Sequence, residues 1–165
     1  MSGKVVQPPD IITLSEPTIF LAGPIQGALD WQASATELIH KLSPKTNIAN
    51  PRREYLDGEF VYAKQVDWET HFLNLASRNG VILFWLAKEH THNPERAYAQ
   101  TTRFELAEWK VKHERDGVKL ALGIEPGFSN ERYIRRRFEQ DCPGMTVSAT
   151  LEATCKDAVR LLDDR

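Results

Sequence analysis

Two glutamates, Glu69 and Glu105, stand in stretches whose apolar spacing is helical, and the setting of each invites chemistry. In the first stretch Tyr62, Val66, Glu69, Leu73 and Ala76 follow steps of four, three, four and three. At 3.6 residues per turn they share one face, so Glu69 falls in the apolar stripe while Gln65 and Asp67 lie to its sides. A carboxylate turned toward a core must find a charge, a hydrogen bond or a proton. Burial raises its pKa, which is what a general acid needs at neutral pH. The plainer reading is a glutamate at the end of the stripe that reaches water or an arginine. In the second stretch Thr102 and Glu105 have the spacing of a capping box, which alone accounts for the glutamate. The same geometry serves a second purpose, because a helix N-terminus keeps a carboxylate ionised and able to attack an electrophilic carbon.

Loops at strand ends supply the other candidates. Gly23-Pro24-Ile25-Gln26-Gly27 is a glycine-flanked turn that lets backbone N–H groups approach an anion or a hydroxylated ligand, or simply turns the chain. It matches neither a dinucleotide fingerprint nor a P-loop. In Asn50-Pro51-Arg52-Arg53 a proline fixes the backbone ahead of two guanidiniums suited to planar, bidentate recognition, although adjacent arginines are commonly solvated. Trp85 offers an aromatic face beside the same crevice or packs in the core. His90 and His92 lack a third ligand nearby, so no metal is expected. Arg135, Arg136 and Arg137 share their stretch with Glu131, Glu139 and Asp141, the pattern of a solvated face.

The elements that must position these residues alternate between short β-rich runs and longer amphipathic stretches, as in parallel strands joined by crossover helices. Residues 1–17, with three prolines, read as an N-terminal arm, and residues 18–165 as a single domain. Strands are expected at residues 18–22, 45–50, 80–85, 118–123 and 145–147. Helices are expected at 29–42, 60–78, 102–114, 129–140 and 151–162. The unbroken apolar run from Gly80 to Trp85 suits a central strand buried on both faces. Right-handed crossovers then make an open, doubly wound α/β sheet of five parallel strands, with ligands outside the carboxyl ends where the strand order reverses.

Composition narrows the function. The 165 residues carry 21 Lys+Arg against 23 Asp+Glu, a net charge of −2, so nothing draws the chain toward a nucleic-acid polymer or an anionic membrane. Its two cysteines are too few for a disulfide framework, and no apolar run approaches the ~20 residues of a membrane span. A soluble, cytoplasmic protein is expected.

Together, in order, Ile19-Phe-Leu-Ala-Gly-Pro-Ile25, Asn50-Pro-Arg-Arg53, Gln65-Val-Asp-Trp-Glu69, Gly80-Val-Ile-Leu-Phe-Trp85 and Thr102-Arg-Phe-Glu-Leu-Ala-Glu-Trp109 resemble the nucleoside 2-deoxyribosyltransferase-like family. Gly123-Ile-Glu-Pro-Gly127 with Arg132-Tyr-Ile134 extends the resemblance to roughly residues 18–140. The resemblance implies a flavodoxin-like domain that cleaves the N-glycosidic bond of a 2′-deoxynucleoside, without metal or organic cofactor. Glu105 maps to the glutamate that attacks C1′ and holds the sugar covalently, and Ala107 replaces a glycine of that motif. The family's second carboxylate falls nearest Glu69, with Asp67 as its substitute. Gly23, Pro24, Ile25, Gln26, Asn50, Arg52, Trp85 and Arg103 would shape the sugar and base pocket.

The resemblance further implies a deoxynucleoside and a free nucleobase as partners, and a homo-oligomer, dimer or larger, in which a neighbour completes the pocket. Transfer to another base is the first expectation. The related N-hydrolases of deoxynucleosides or their monophosphates are the alternative, although Gln26 stands where those hydrolases carry an arginine for the 5′-phosphate. A nucleotide-binding module without turnover is the reading from another class.

Overall fold

The computed structural model describes residues 2–53 and 61–164. The described strands are β1 (Val5–Val6), β2 (Thr18–Ala22), β3 (Asn47–Ala49), β4 (Gly80–Leu86), β5 (Leu120–Ile124) and β6 (Val147–Ser148). The helices are α1 (Trp31–Leu42), α2 (Tyr62–Asn79), α3 (Gln100–Asp116), α4 (Glu131–Asp141) and α5 (Leu151–Asp163). All strand pairs are parallel, in the order β1-β3-β2-β4-β5-β6. This is the open α/β architecture of a flavodoxin-like fold. The expected start of α2 at Phe60 lies outside the described residues.

Alternation along the two central strands builds both cores, because successive side chains leave opposite faces of a sheet. Ile19, Leu21, Val81, Leu83 and Trp85 face α1 and α5. Phe20, Ala22, Ile82, Phe84 and Leu86 face the other layer, where α2 supplies Trp68, Phe72 and Ala76 and α3 supplies Leu106 and Trp109. Both faces of β4 are covered, which explains its continuous apolar sequence.

The sheet has six strands where five are expected from sequence. The additional one is β1, whose Val5 and Val6 pair with Ile48 and Ala49. Two residues carry no detectable period, and their strand exists only because β3 presents an open edge. The segment after β1 continues onto α2: Trp68 Nε1 donates to the Asp10 carbonyl at 2.8 Å, and Leu14 is buried.

The chain leaves β2 outward to β3 through α1 and returns through α2 to β4 on the other side of β2. The order therefore reverses between β2 and β4, and their carboxyl ends diverge to leave a crevice. Asp30 starts α1 as its N-cap, accepting from the Ala33 N–H at 3.1 Å, and so sets the length of the β2–α1 loop that borders this crevice.

Candidate active site

A cavity of about 470 Å³ occupies that crevice, within the roughly 300–1,000 Å³ typical of small-ligand sites. One wall is the β2–α1 loop with Gly23, Pro24, Ile25 and Gln26; α2 and the start of α3 supply the others. Both glutamates singled out by the sequence, Glu69 and Glu105, line it.

The face of α2 divides between two tasks. Leu73 and Ala76 are buried as the stripe requires, but the core contact toward the N-terminal half is made by Trp68 and Phe72. Tyr62 and Val66 remain 72% and 39% exposed and line the cavity with Glu69. The stripe is thus half core and half cavity wall. Gln65 Nε2 donates to Glu69 Oε1 at 2.8 Å and to the Pro51 carbonyl at 3.3 Å, tying the carboxylate to the loop after β3. Burial raises the pKa of Glu69, and the Gln65 hydrogen bond opposes the rise. Asp67 is exposed and does not line the cavity.

The capping box expected at Thr102 and Glu105 does not form. Ala99, in the left-handed region at φ 56°, delivers the chain into α3 two residues earlier than expected, and no side chain caps that end. Thr102 therefore lies inside the helix and Glu105 in its second turn, away from the free N–H groups. Glu105 is half-buried, and its pKa is pushed up to about 8, first by burial, then by the charges of Glu69 and Glu108. Where the sequence suggests a carboxylate kept ionised by a helix end, the structure holds one that keeps its proton at neutral pH, because desolvation outweighs a dipole that fades within one turn.

Four of the expected pocket residues face elsewhere. Past β3 neighbours alternate: Pro51 and Arg53 line the cavity, while Asn50 and Arg52 do not. Asn50 accepts from the Arg52 N–H at 2.9 Å, and the Arg52 guanidinium is spent on the back of the β2–α1 loop. Trp85 belongs to the core under α1 and α5 and borders a smaller cavity of about 260 Å³ on that face of the sheet. Arg103 donates to Ser129 and stacks over Phe128 at 4.4 Å.

Sequence reasoning missed several polar residues of the cavity, Arg53, Gln65 and Arg96 among them. Arg53 follows from the alternation just described. Gln65 carried a usable signal, since it stands one helical turn before Glu69. Arg96, which donates to Gln26 Oε1 at 2.5 Å, comes from the β4–α3 loop and carried none. Among the described residues no group of three or more His, Cys, Asp or Glu is placed to hold a metal ion, and no helix is long and apolar enough to cross a membrane.

In open α/β sheets of this class, small molecules bind at the switch point that β2 and β4 form here. A profile of nucleoside 2-deoxyribosyltransferase-like proteins matches residues 16–119, more than half of the chain and all of the cavity's walls. The chain belongs to the nucleoside 2-deoxyribosyltransferase-like family, whose substrates are nucleosides and nucleobases. No curated protein sequence matches it as a relative.

Proposed function

We propose that this protein cleaves the N-glycosidic bond of 2′-deoxynucleosides through a deoxyribosyl ester on Glu105 and passes the sugar to a second nucleobase. The observation that carries the reading is the pairing of Glu69 and Glu105 on one cavity, where the charge of the first favours a proton on the second. Burial raises both carboxyls, and a proton held by Glu105 at neutral pH belongs to the two coupled groups jointly.

One proton is what the reaction uses. With substrate bound, it resides on Glu69 as the acid, and Glu105 is the anion beneath C1′. The C1′–N bond breaks, its electron pair leaves with the base, and the base takes the Glu69 proton. Glu105 stabilises the oxocarbenium character at C1′ and then bonds to it. The charge of the pair stays at −1 throughout: the ester is neutral and Glu69 is now ionised. A second base attacks C1′, gives its N–H proton to Glu69 and frees Glu105. Because deoxyribose lacks the electron-withdrawing 2′-hydroxyl, its cation forms with less assistance than that of ribose.

Incubation with a deoxynucleoside and a different free base, followed by chromatography, tests the proposal. A new deoxynucleoside is expected, and Glu105→Ala abolishes it. Full activity in that variant refutes the assignment. Release of base with no new nucleoside gives the hydrolase instead. Arg53 and Arg96 on the cavity wall favour including deoxynucleoside 5′-monophosphates in the same assay, since guanidiniums suit phosphate. Saturable binding with no base released would leave a nucleotide-binding module.

A further inference from the structure

Arg52 makes a dense set of directed contacts beside the cavity without lining it. Nη2 donates to three carbonyls of the β2–α1 loop, those of Ile25 at 3.1 Å, Ala28 at 3.3 Å and Leu29 at 3.1 Å. Nε donates to Gln32 Oε1 at 2.9 Å and lies 3.4 Å from Asp30 Oδ1. Its own backbone is anchored in turn, with the N–H donating to Asn50 Oδ1 and the carbonyl accepting from Gln7 Nε2 at 2.7 Å. The far side of the same loop is held by the N–H groups of His90 and Thr91, which both donate to the Gly27 carbonyl, at 2.7 and 3.0 Å.

We propose that Arg52 is a positioning residue: its guanidinium gathers the carbonyls of Ile25, Ala28 and Leu29 behind the β2–α1 loop, and so holds Gly23–Gln26 in the shape that receives the substrate. Trp31 Nε1 holds the Pro24 carbonyl and the His90 and Thr91 N–H groups hold that of Gly27, but neither gathers several carbonyls as Arg52 does. Residues 23–30 carry two glycines and a proline, contain no regular element, and turn three carbonyls toward one point. Such convergence is unfavourable unless a cation with several fixed donors occupies it. A planar guanidinium does so with one group, whereas an ammonium is a point charge that cannot reach Gln32 and the carbonyls in the same geometry. The carboxylates stand on α2 and α3, which Arg52 does not touch, so loss of the guanidinium should weaken substrate binding more than the chemical step.

The inference rests on the proposed reading of the cavity, and two measurements separate their fates. In steady-state base exchange, Arg52→Gln and Arg52→Lys should each raise KM by about tenfold or more while kcat stays within about threefold, the mark of lost binding common to ground and transition states. Added guanidinium should restore KM toward the wild-type value in Arg52→Ala and leave Glu105→Ala inactive. A fall in kcat at unchanged KM, or full rescue by lysine, overturns the assignment. Amide hydrogen exchange reads the latch without any turnover: in Arg52→Lys the Ala28, His90 and Thr91 amides should exchange about tenfold faster, with β4 amides unchanged. Unaltered exchange at those three amides overturns the proposal even if the enzyme is active. Accelerated exchange in a protein that turns over no deoxynucleoside sustains the latch and refutes only the function.

Discussion

The carboxyl groups of Glu69 and Glu105 reach one cavity from two different helices, and the negative charge of Glu69 helps hold a proton on Glu105. In the proposed mechanism this coupling lets the pair serve as acid and anion at once.

Stability should carry its signature. An unfolded glutamate titrates near 4.5 and the folded Glu105 near 8, so between these values the folded chain binds a proton that the unfolded chain has lost. Stability from this group is therefore greatest at the acid end of the window and declines as pH rises through it. Glu105→Gln, which imitates the protonated form, removes that slope. It should unfold at nearly the wild-type temperature at pH 5 and clearly above it at pH 8.5, with the gap widening as pH rises between those values. Parallel thermal scans check this; a difference that shrinks with pH contradicts it.

Removing the acid should separate the two roles. Glu69→Gln is expected to lower kcat by roughly 10²–10⁴-fold, the usual contribution of a general acid. It also deletes a neighbouring charge, so the Glu105 carboxyl should titrate below its wild-type value of about 8. Carbon-13 NMR of labelled glutamate reads the second effect independently of turnover. Wild-type kcat in this variant would remove Glu69 from the mechanism.

Gly23 shows why the turn after β2 needs its sequence. A Cβ there would lie 2.3 Å from the Trp85 carbonyl oxygen and 2.6 Å from Trp31 Cζ2. Neither neighbour is free to yield: one is strand backbone, and the Trp31 indole is pinned by its Nε1 hydrogen bond to the Pro24 carbonyl. Gly23→Ala should cost about 1–3 kcal/mol, as other overpacked sites do, and lower the unfolding midpoint by about 2–12 °C. An unchanged midpoint in calorimetry would show that this approach is looser than the distances indicate.

Ala99 runs the other way. Holding a side-chain-bearing residue at φ 56° costs roughly 1–2 kcal/mol, of which glycine's greater unfolded-state entropy returns about half. Ala99→Gly should thus stabilise the protein by about 0.5–1 kcal/mol, or 1–4 °C in the melting midpoint. Destabilisation would mean that the Ala99 methyl, on the cavity wall, contributes more by packing than its backbone loses.

Strands β2 and β4 were legible because their residues are apolar on both faces. Glu69 was legible as a candidate because helical spacing places it in an apolar stripe, and Glu105 because it stands three residues after Thr102 near the start of a helix. Strand β1 was not, since two valines have no period and pair only because β3 offers an edge. The start of α3 was misplaced because Thr102 with Glu105 satisfies a local capping rule, while the true boundary is a left-handed alanine that local rules disfavour. The type of Arg52 suits anions, but which side of the segment its side chain leaves depends on the register of β3.

Amino-acid order alone determined the alternation of strands and helices, the membership of both glutamates in helices, and the place of the crevice, since these depend on periodicities of two and 3.6 and on the handedness of crossovers. Tertiary structure decided which side chains meet. Glu105 keeps its proton, Arg52 turns to the loop rather than the cavity, and Arg96 reaches Gln26, because burial, charge and distance between residues far apart in the chain have no local signature.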